Sequence, residues 1–223
     1  MNPAHLRRAA SVVLAGILVP AGAQAVGTRT FRLDTEGELS GGQLKGVAIT
    51  EGGLVRAGLT LGSVPLGTAS SVFAALPLAD GSVLVGTGAE GKVYRIERDQ
   101  ASVYADTGEL AVTALVAGPR GGFAATIPSG TIFRLRAGKA DLYATLPGAE
   151  HVWALAYDKG MASLFAATGP EGKVFRLGPD GAPSVYYKSN EPHLVSLAVD
   201  DKTGDLFAGS SGKAILFRIT GPG

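Results

Sequence analysis

Four stretches of the 223-residue chain spell out one motif: VGTGAEGKVYRI (85–96), ATIPSGTIFRL (125–135), ATGPEGKVFRL (167–177) and GSSGKAILFRI (209–219). Their arginines, Arg95, Arg134, Arg176 and Arg218, follow one another at 39, 42 and 42 residues. Aligned on that arginine, the residue before it is aromatic (Tyr94, Phe133, Phe175, Phe217) and the residue after it is aliphatic (Ile96, Leu135, Leu177, Ile219). Eight residues upstream stands a hydroxyl, as Thr87, Thr126, Thr168 or Ser210. Columns of matched chemistry at a fixed period mark an internal repeat, and a repeat decides the architecture before any single element does.

Outward from the motif, each repeat divides into short strands. In the third these are 152–157 (VWALAY), 163–168 (SLFAAT), 173–177 (KVFRL) and 184–187 (SVYY). Between them lie Asp158-Lys159-Gly160, Gly169-Pro170-Glu171-Gly172 and Gly178-Pro179-Asp180-Gly181, which have the residues that reverse a β chain. The last strand keeps an aromatic as Tyr104, Tyr143 and Tyr186. Four antiparallel strands in about 42 residues is the period of a β-propeller blade. The expected fold is therefore all-β: a propeller of four-stranded antiparallel blades, about four to five of them, incomplete or a fragment of a larger propeller.

The pattern Trp153-x-Leu155-Ala156, Leu164-Phe165 and Thr168-Gly169-x-x-Gly172-Lys173-Val174-Phe175-Arg176 resembles the secreted bacterial β-propeller repeat proteins described as WD-like, NHL-like or quinoprotein-like. The resemblance spans roughly residues 70–219 and implies an architecture, not an activity. No Trp-Asp dipeptide occurs. The quinoprotein docking motif A-x-D-x-x-T-G-K-x-x-W is similar to Ala198-Val199-Asp200-Asp201-Lys202-Thr203-Gly204-Asp205, but Asp205 replaces the lysine and Ala208 the tryptophan. Quinone binding is not implied, and no cofactor is expected. Gluconolactonase-like propellers use a Glu, Asn and Asp metal set, whereas Asn190 is the sole asparagine after residue 25.

Composition agrees with a turn-rich β chain. Glycine contributes 33 residues, about twice its usual share, which disfavours long helices. Only 17% of residues are charged, so charge-driven disorder is excluded. Cysteine is absent, which excludes disulfides, Cys-ligated metals and a lipid-anchored lipoprotein. Residues 1–25 place Arg7 and Arg8 before an apolar run from Ala9 to Val19 and a small-x-small site, Ala23-Gln24-Ala25. That arrangement reads as a secretory signal peptide, so a secreted or periplasmic location is expected, with no membrane anchor. Its removal leaves 18 basic against 19 acidic residues. A chain so balanced gives no reason to expect nucleic acid as a partner.

Residues 26–68 carry Thr30-Phe31-Arg32-Leu33, an echo of the motif, and read as a divergent β segment: a partial blade or a ring-closing strand. The propeller repeats occupy 69–223. The fourth ends at Gly223, before a residue matching Tyr186 is reached.

In propellers, the loop entering the first strand and the loop between the second and third strands share a rim, where binding residues gather. Counting 25 residues back from each arginine selects Ser70, Glu109, His151 and His193. Two imidazoles and a carboxylate are competent metal ligands; the plain alternative is polar residues facing water, and no metal site is assigned. Trp153, the sole tryptophan, starts the first strand of the third repeat. Its indole suits stacking on a sugar or packing between blades. The candidate ligand-binding residues are thus His151, His193, Glu109 and Trp153, and no catalytic residue is assigned. The Gly-x-Glu-Gly-Lys loops (88–92, 169–173) lack the strand–loop–helix setting of a phosphate cradle and read as β-turns. The repeated arginine is expected to clip carbonyls or acids at blade interfaces, and the hydroxyl column to bond local backbone. The expected function is a non-catalytic scaffold whose rim binds a protein or carbohydrate partner. The alternative is a metal-assisted lyase or hydrolase at the channel mouth.

Overall fold

The computed structural model describes residues 30–58, 62–119, 121–136 and 138–223. The leader expected at 1–25 lies outside the described residues. Contacts divide the chain into residues 1–61 and 62–223.

In the first unit, helical turn α1 (Glu36–Leu39) is opened by Thr35, whose Oγ1 accepts from the Glu38 amide at 3.3 Å. The Glu38 carboxylate reaches back to the Asp34 amide at 3.2 Å, so two free amides of the helix start are met reciprocally. A hairpin of β1 (Val47–Ile49) and β2 (Val55–Ala57) follows as a two-stranded sheet.

The second unit is a β-propeller array. The first blade comprises β3 (Ser71–Pro77), β4 (Val83–Gly88), β5 (Lys92–Glu97) and β6 (Gln100–Asp106). The second has β7 (Ala111–Gly118), β8 (Gly121–Ile127), β9 (Thr131–Arg136) and β10 (Lys139–Thr145). The third has β11 (His151–Asp158), β12 (Ser163–Gly169), β13 (Lys173–Leu177) and β14 (Pro183–Lys188). The fourth has three strands, β15 (His193–Val199), β16 (Leu206–Ser211) and β17 (Leu216–Ile219). The expected strands of the third repeat thus match to within a residue at each end. Every pairing within a blade is antiparallel.

The cores lie between blades rather than inside them. One joins Phe123, Ile132 and Leu146 to Val152, Leu164 and Phe175; the others join the first blade to the second and the third to the fourth. The second strand β12 is covered on both faces, which is why it is buried at all seven positions and reads as an apolar run. The array is open. Val112, Val152 and Leu194 are fully buried against the preceding blade, whereas Val72 at the same position of the first blade is 57% exposed.

The turns that join blades depend on one glycine per repeat. Gly91, Gly130 and Gly172, four residues before the arginine, adopt φ of +57°, +60° and +55°. A Cβ would stand 2.0 Å from the Glu109 carbonyl oxygen, 2.0 Å from that of Ala149 and 1.9 Å from that of Glu191, each in the loop entering the next blade. Ala214 holds this position in the fourth blade at φ +55°.

The hydroxyl column does bond local backbone. Thr87, Thr126 and Thr168 donate to the carbonyls of Lys92, Thr131 and Lys173 at 2.9–3.0 Å, and Ser210 accepts from the Ile215 amide at 3.0 Å. The arginine column departs from expectation. Its clips run within a blade, from the third strand to the start of the second or the turn before it; two of the Nε acceptors are serine hydroxyls, while Arg95 and Arg218 meet acids as expected, Asp80 and Asp205. Nε of Arg95, Arg176 and Arg218 donates to Ser82 Oγ (3.1 Å), Ser163 Oγ (3.0 Å) and Asp205 Oδ2 (2.8 Å). The register explains this: Arg176 pairs with Phe165, so Ser163 is its diagonal neighbour on the same face.

The joint makes a prediction. Gly130→Ala combines a left-handed backbone with a backbone overlap and should cost about 2–5 kcal/mol in urea denaturation. Ala214→Gly, at the same position in the fourth blade, should change stability by less than about 1 kcal/mol.

Candidate functional site

The two loop families expected to share a rim are bonded to each other. The Gly91 amide donates to Leu110 O and the Gly130 amide to Glu150 O, both at 3.1 Å, linking each second-to-third turn to the loop entering the next blade. His151 and His193 stand on this rim as the first residues of β11 and β15.

Every first strand carries a bulge at its start: the ladder shifts between Val72 and Ala74, Val112 and Ala114, Val152 and Ala154, and Leu194 and Ser196. The residues left unpaired are Phe73, Thr113, Trp153 and Val195. A bulge re-aims the side chain it carries, and in the second and third blades it aims it at the following blade. The Thr113 hydroxyl donates to the Val152 carbonyl. Trp153 Nε1 donates to His193 Nδ1 at 3.1 Å.

That bond organises three rings from two blades. His151 stacks on Trp153 with centroids 5.0 Å apart and planes 4° from parallel. His193 presents its edge to both, at 5.8 Å from His151 and 5.9 Å from Trp153. With Nδ1 accepting the indole hydrogen bond, the N–H that His193 can offer outward is at Nε2. Its seat is Gly169, where a Cβ would fall 1.9 Å from His193 Nδ1. His151 Nδ1 is buried and has no hydrogen-bond partner.

Glu109 is not part of this cluster's register. The ladder aligns His151 with Ala111, since His151 pairs with Gly169 and Ala111 with Ile127, each seven residues before its arginine. A constant count of 25 overshoots because residues 119–120 alone join β7 to β8, against 159–162 between β11 and β12. Glu109 instead accepts the Ser129 hydroxyl at 2.8 Å. Among the described residues, no group of three or more His, Asp or Glu is placed to hold a metal ion. The Gly-x-Glu-Gly-Lys loops are turns, as expected, and their lysines are paired: Lys92 with Glu90 at 2.9 Å, and Lys173 with Glu171. The Lys173 ammonium holds the Glu171 carboxyl below its ordinary range, and the Thr68 hydroxyl, then Lys92, do the same for Glu90.

No known protein family and no curated protein matches the chain. Solved structures do. A nidogen/laminin complex matches with a TM-score of 0.61 at 12% identity, over 74% of this chain and 64% of that one. The PQQ-bound aldose sugar dehydrogenase of Streptomyces coelicolor matches with a TM-score of 0.58 at 21% identity, over 73% and 63%. Virginiamycin B lyase of Staphylococcus aureus matches with a TM-score of 0.57 at 17% identity, over 78% and 61%. At these identities the likeness is one of fold. The chain matches less than two thirds of the length of each. Enzymes and a protein–protein complex both stand among them, so the fold is compatible with either kind of function.

Trp153 is the sole tryptophan, so its fluorescence reports on this cluster alone. His193→Ala removes the acceptor of the indole N–H. It should change the emission and lower stability by about 1–2 kcal/mol in urea denaturation. Unchanged emission would mean that the two rings are not bonded in solution.

Proposed function

We propose that the protein is an exported, non-catalytic β-propeller that binds a protein or carbohydrate partner through the rim carrying His151, Trp153 and His193. One observation supports this reading above the others: three flat, partly exposed rings are locked together across two blades at the loop rim. Preorganised aromatic rings give a partner large contact area without loss of side-chain freedom, which is the usual basis of a binding hot spot. Stacking on an indole serves a sugar ring equally well. Glu109, hydrogen-bonded to Ser129, is a further acidic acceptor on the same rim.

Two features argue against the metal-assisted alternative. One of the four imidazole nitrogens, His193 Nδ1, is already engaged by the indole. The candidate carboxylate, Glu109, belongs by register to the loop ahead of Ala111 rather than to the histidine position.

The leader is the basis for export. Mass spectrometry of the protein recovered from periplasm or medium should find a chain beginning at Val26; an intact Met1 start in the cytoplasm would refute export. Binding is tested with glycan arrays and cross-linking to extracellular proteins, comparing the wild type with Trp153→Ala. The wild type should capture a ligand that the variant loses by about tenfold or more. Metal analysis of the purified protein is the opposing test. Stoichiometric zinc or another divalent ion, lost in His151→Ala, would overturn the scaffold reading in favour of metal-assisted chemistry.

A further inference from the structure

The second blade breaks the arginine rule. In the other three, Nε is met by the residue thirteen positions upstream: Ser82, Ser163 or Asp205. In the second blade that residue is Gly121, at φ +139°, where a Cβ would lie 2.1 Å from the Leu135 carbonyl oxygen. No side chain fits there to meet the guanidinium. Arg134 Nε is accordingly buried and without a hydrogen-bond partner among the described residues.

The guanidinium lies instead against aromatic rings. Its carbon is 4.4 Å from the Tyr143 ring centroid and 5.4 Å from that of Phe123. Phe123 lies 4.8 Å from Tyr143 and stacks on Tyr157 at 6.2 Å. These groups, with Pro119 and Pro179, line a pocket of about 400 Å³. Pro119 belongs to the first-to-second loop of its blade and Pro179 to the third-to-fourth loop of the next. The pocket therefore opens on the rim opposite the histidines.

Among the described residues, no acidic side chain lines it. The two carboxylates in neighbouring turns are engaged locally: Asp158 accepts from the amides of Gly160 and Met161, and Asp180 from that of Ala182. Tyr143 donates its hydroxyl to the Gly178 carbonyl. Burial pushes its phenol above the ordinary value against the opposing pull of Arg134, so it stays neutral at pH 7. Lys159 adds a second cation in an adjoining hollow that shares Pro119 and Tyr157.

We propose that this pocket binds a small aromatic carboxylate, its carboxylate on the Arg134 guanidinium and its ring among Phe123, Tyr143 and Tyr157. A single guanidinium whose Nε–H is unmet matches one carboxylate in charge and in fork geometry. Aromatic and proline walls select a flat apolar body, and the volume falls in the range of small-molecule pockets. A cavity of about 150 Å³ holds benzene, so the space here admits an acid of one or two rings.

The test uses 2-naphthoate and its neutral counterpart 2-naphthamide as probes, titrated into the full mature protein by calorimetry. The expected result is saturable naphthoate binding below about 1 mM, weakened at least about tenfold for the amide and for Arg134→Met. Arg176→Met, which removes the serine-bonded arginine of the third blade, should leave the naphthoate affinity unchanged. Tyr157→Leu provides a second variant that keeps the charge and removes a stacking wall; it should also weaken binding. Absence of saturable binding by the wild type, or equal affinity for acid and amide, would overturn the proposal. This pocket is separate from the histidine rim, so either reading can fail without the other.

Discussion

The joint between successive blades rests on a glycine that has no room for a side chain. At Gly91, Gly130 and Gly172 the left-handed backbone and the carbonyl of the next blade's entry loop occupy the space where a Cβ would go. The contact sets how closely consecutive blades approach, and the apolar cores follow from that approach. Phe123, Ile132 and Leu146 are buried only because Val152, Leu164 and Phe175 of the next blade are brought against them. A single blade could not bury both of its faces, so stability here is a property of neighbours.

Bulges turn this regular stack into something with chemical character. A strictly alternating strand would leave Thr113 and Trp153 paired in the ladder. The extra residue in each first strand frees them to reach the following blade, one through a hydroxyl to a carbonyl and the other through an indole to an imidazole. The same device sets Phe73 in the first blade and Val195 in the fourth, where both are about half-exposed. Trp153 is therefore a packing clip and a rim surface at once. The packing role comes from its N–H, and its flat ring remains as part of the rim.

The repeat made most of the fold legible. Its arginine spacing identified the blades, the Gly, Pro and Asp clusters located the turns, and the aromatic of each last strand marked the outer edge. The site was less legible. His151 and His193 were found because their blades have loops of similar length. Glu109 was misaligned because the β7–β8 turn is shorter, and a fixed count cannot register a turn of variable length. The arginine clips were read as contacts between blades, because a sequence column does not say which neighbour a long side chain meets. The signal for Arg134 was present but silent: Gly121 replaces the serine or aspartate of the other repeats, and its meaning depends on the diagonal pairing across two strands.

The sequence by itself determined the period, the strands, the turns and the column of hydroxyls, because all of these depend on local backbone preference and two-residue alternation. Only the tertiary structure decided that Trp153 bonds His193, that Glu109 stands outside their register, and that Arg134, its Nε unmet, faces an aromatic pocket. Those outcomes rest on register, on bulges and on the contact of one blade with the next. Each brings together residues about 10 to 40 positions apart, through geometry that no local pattern encodes.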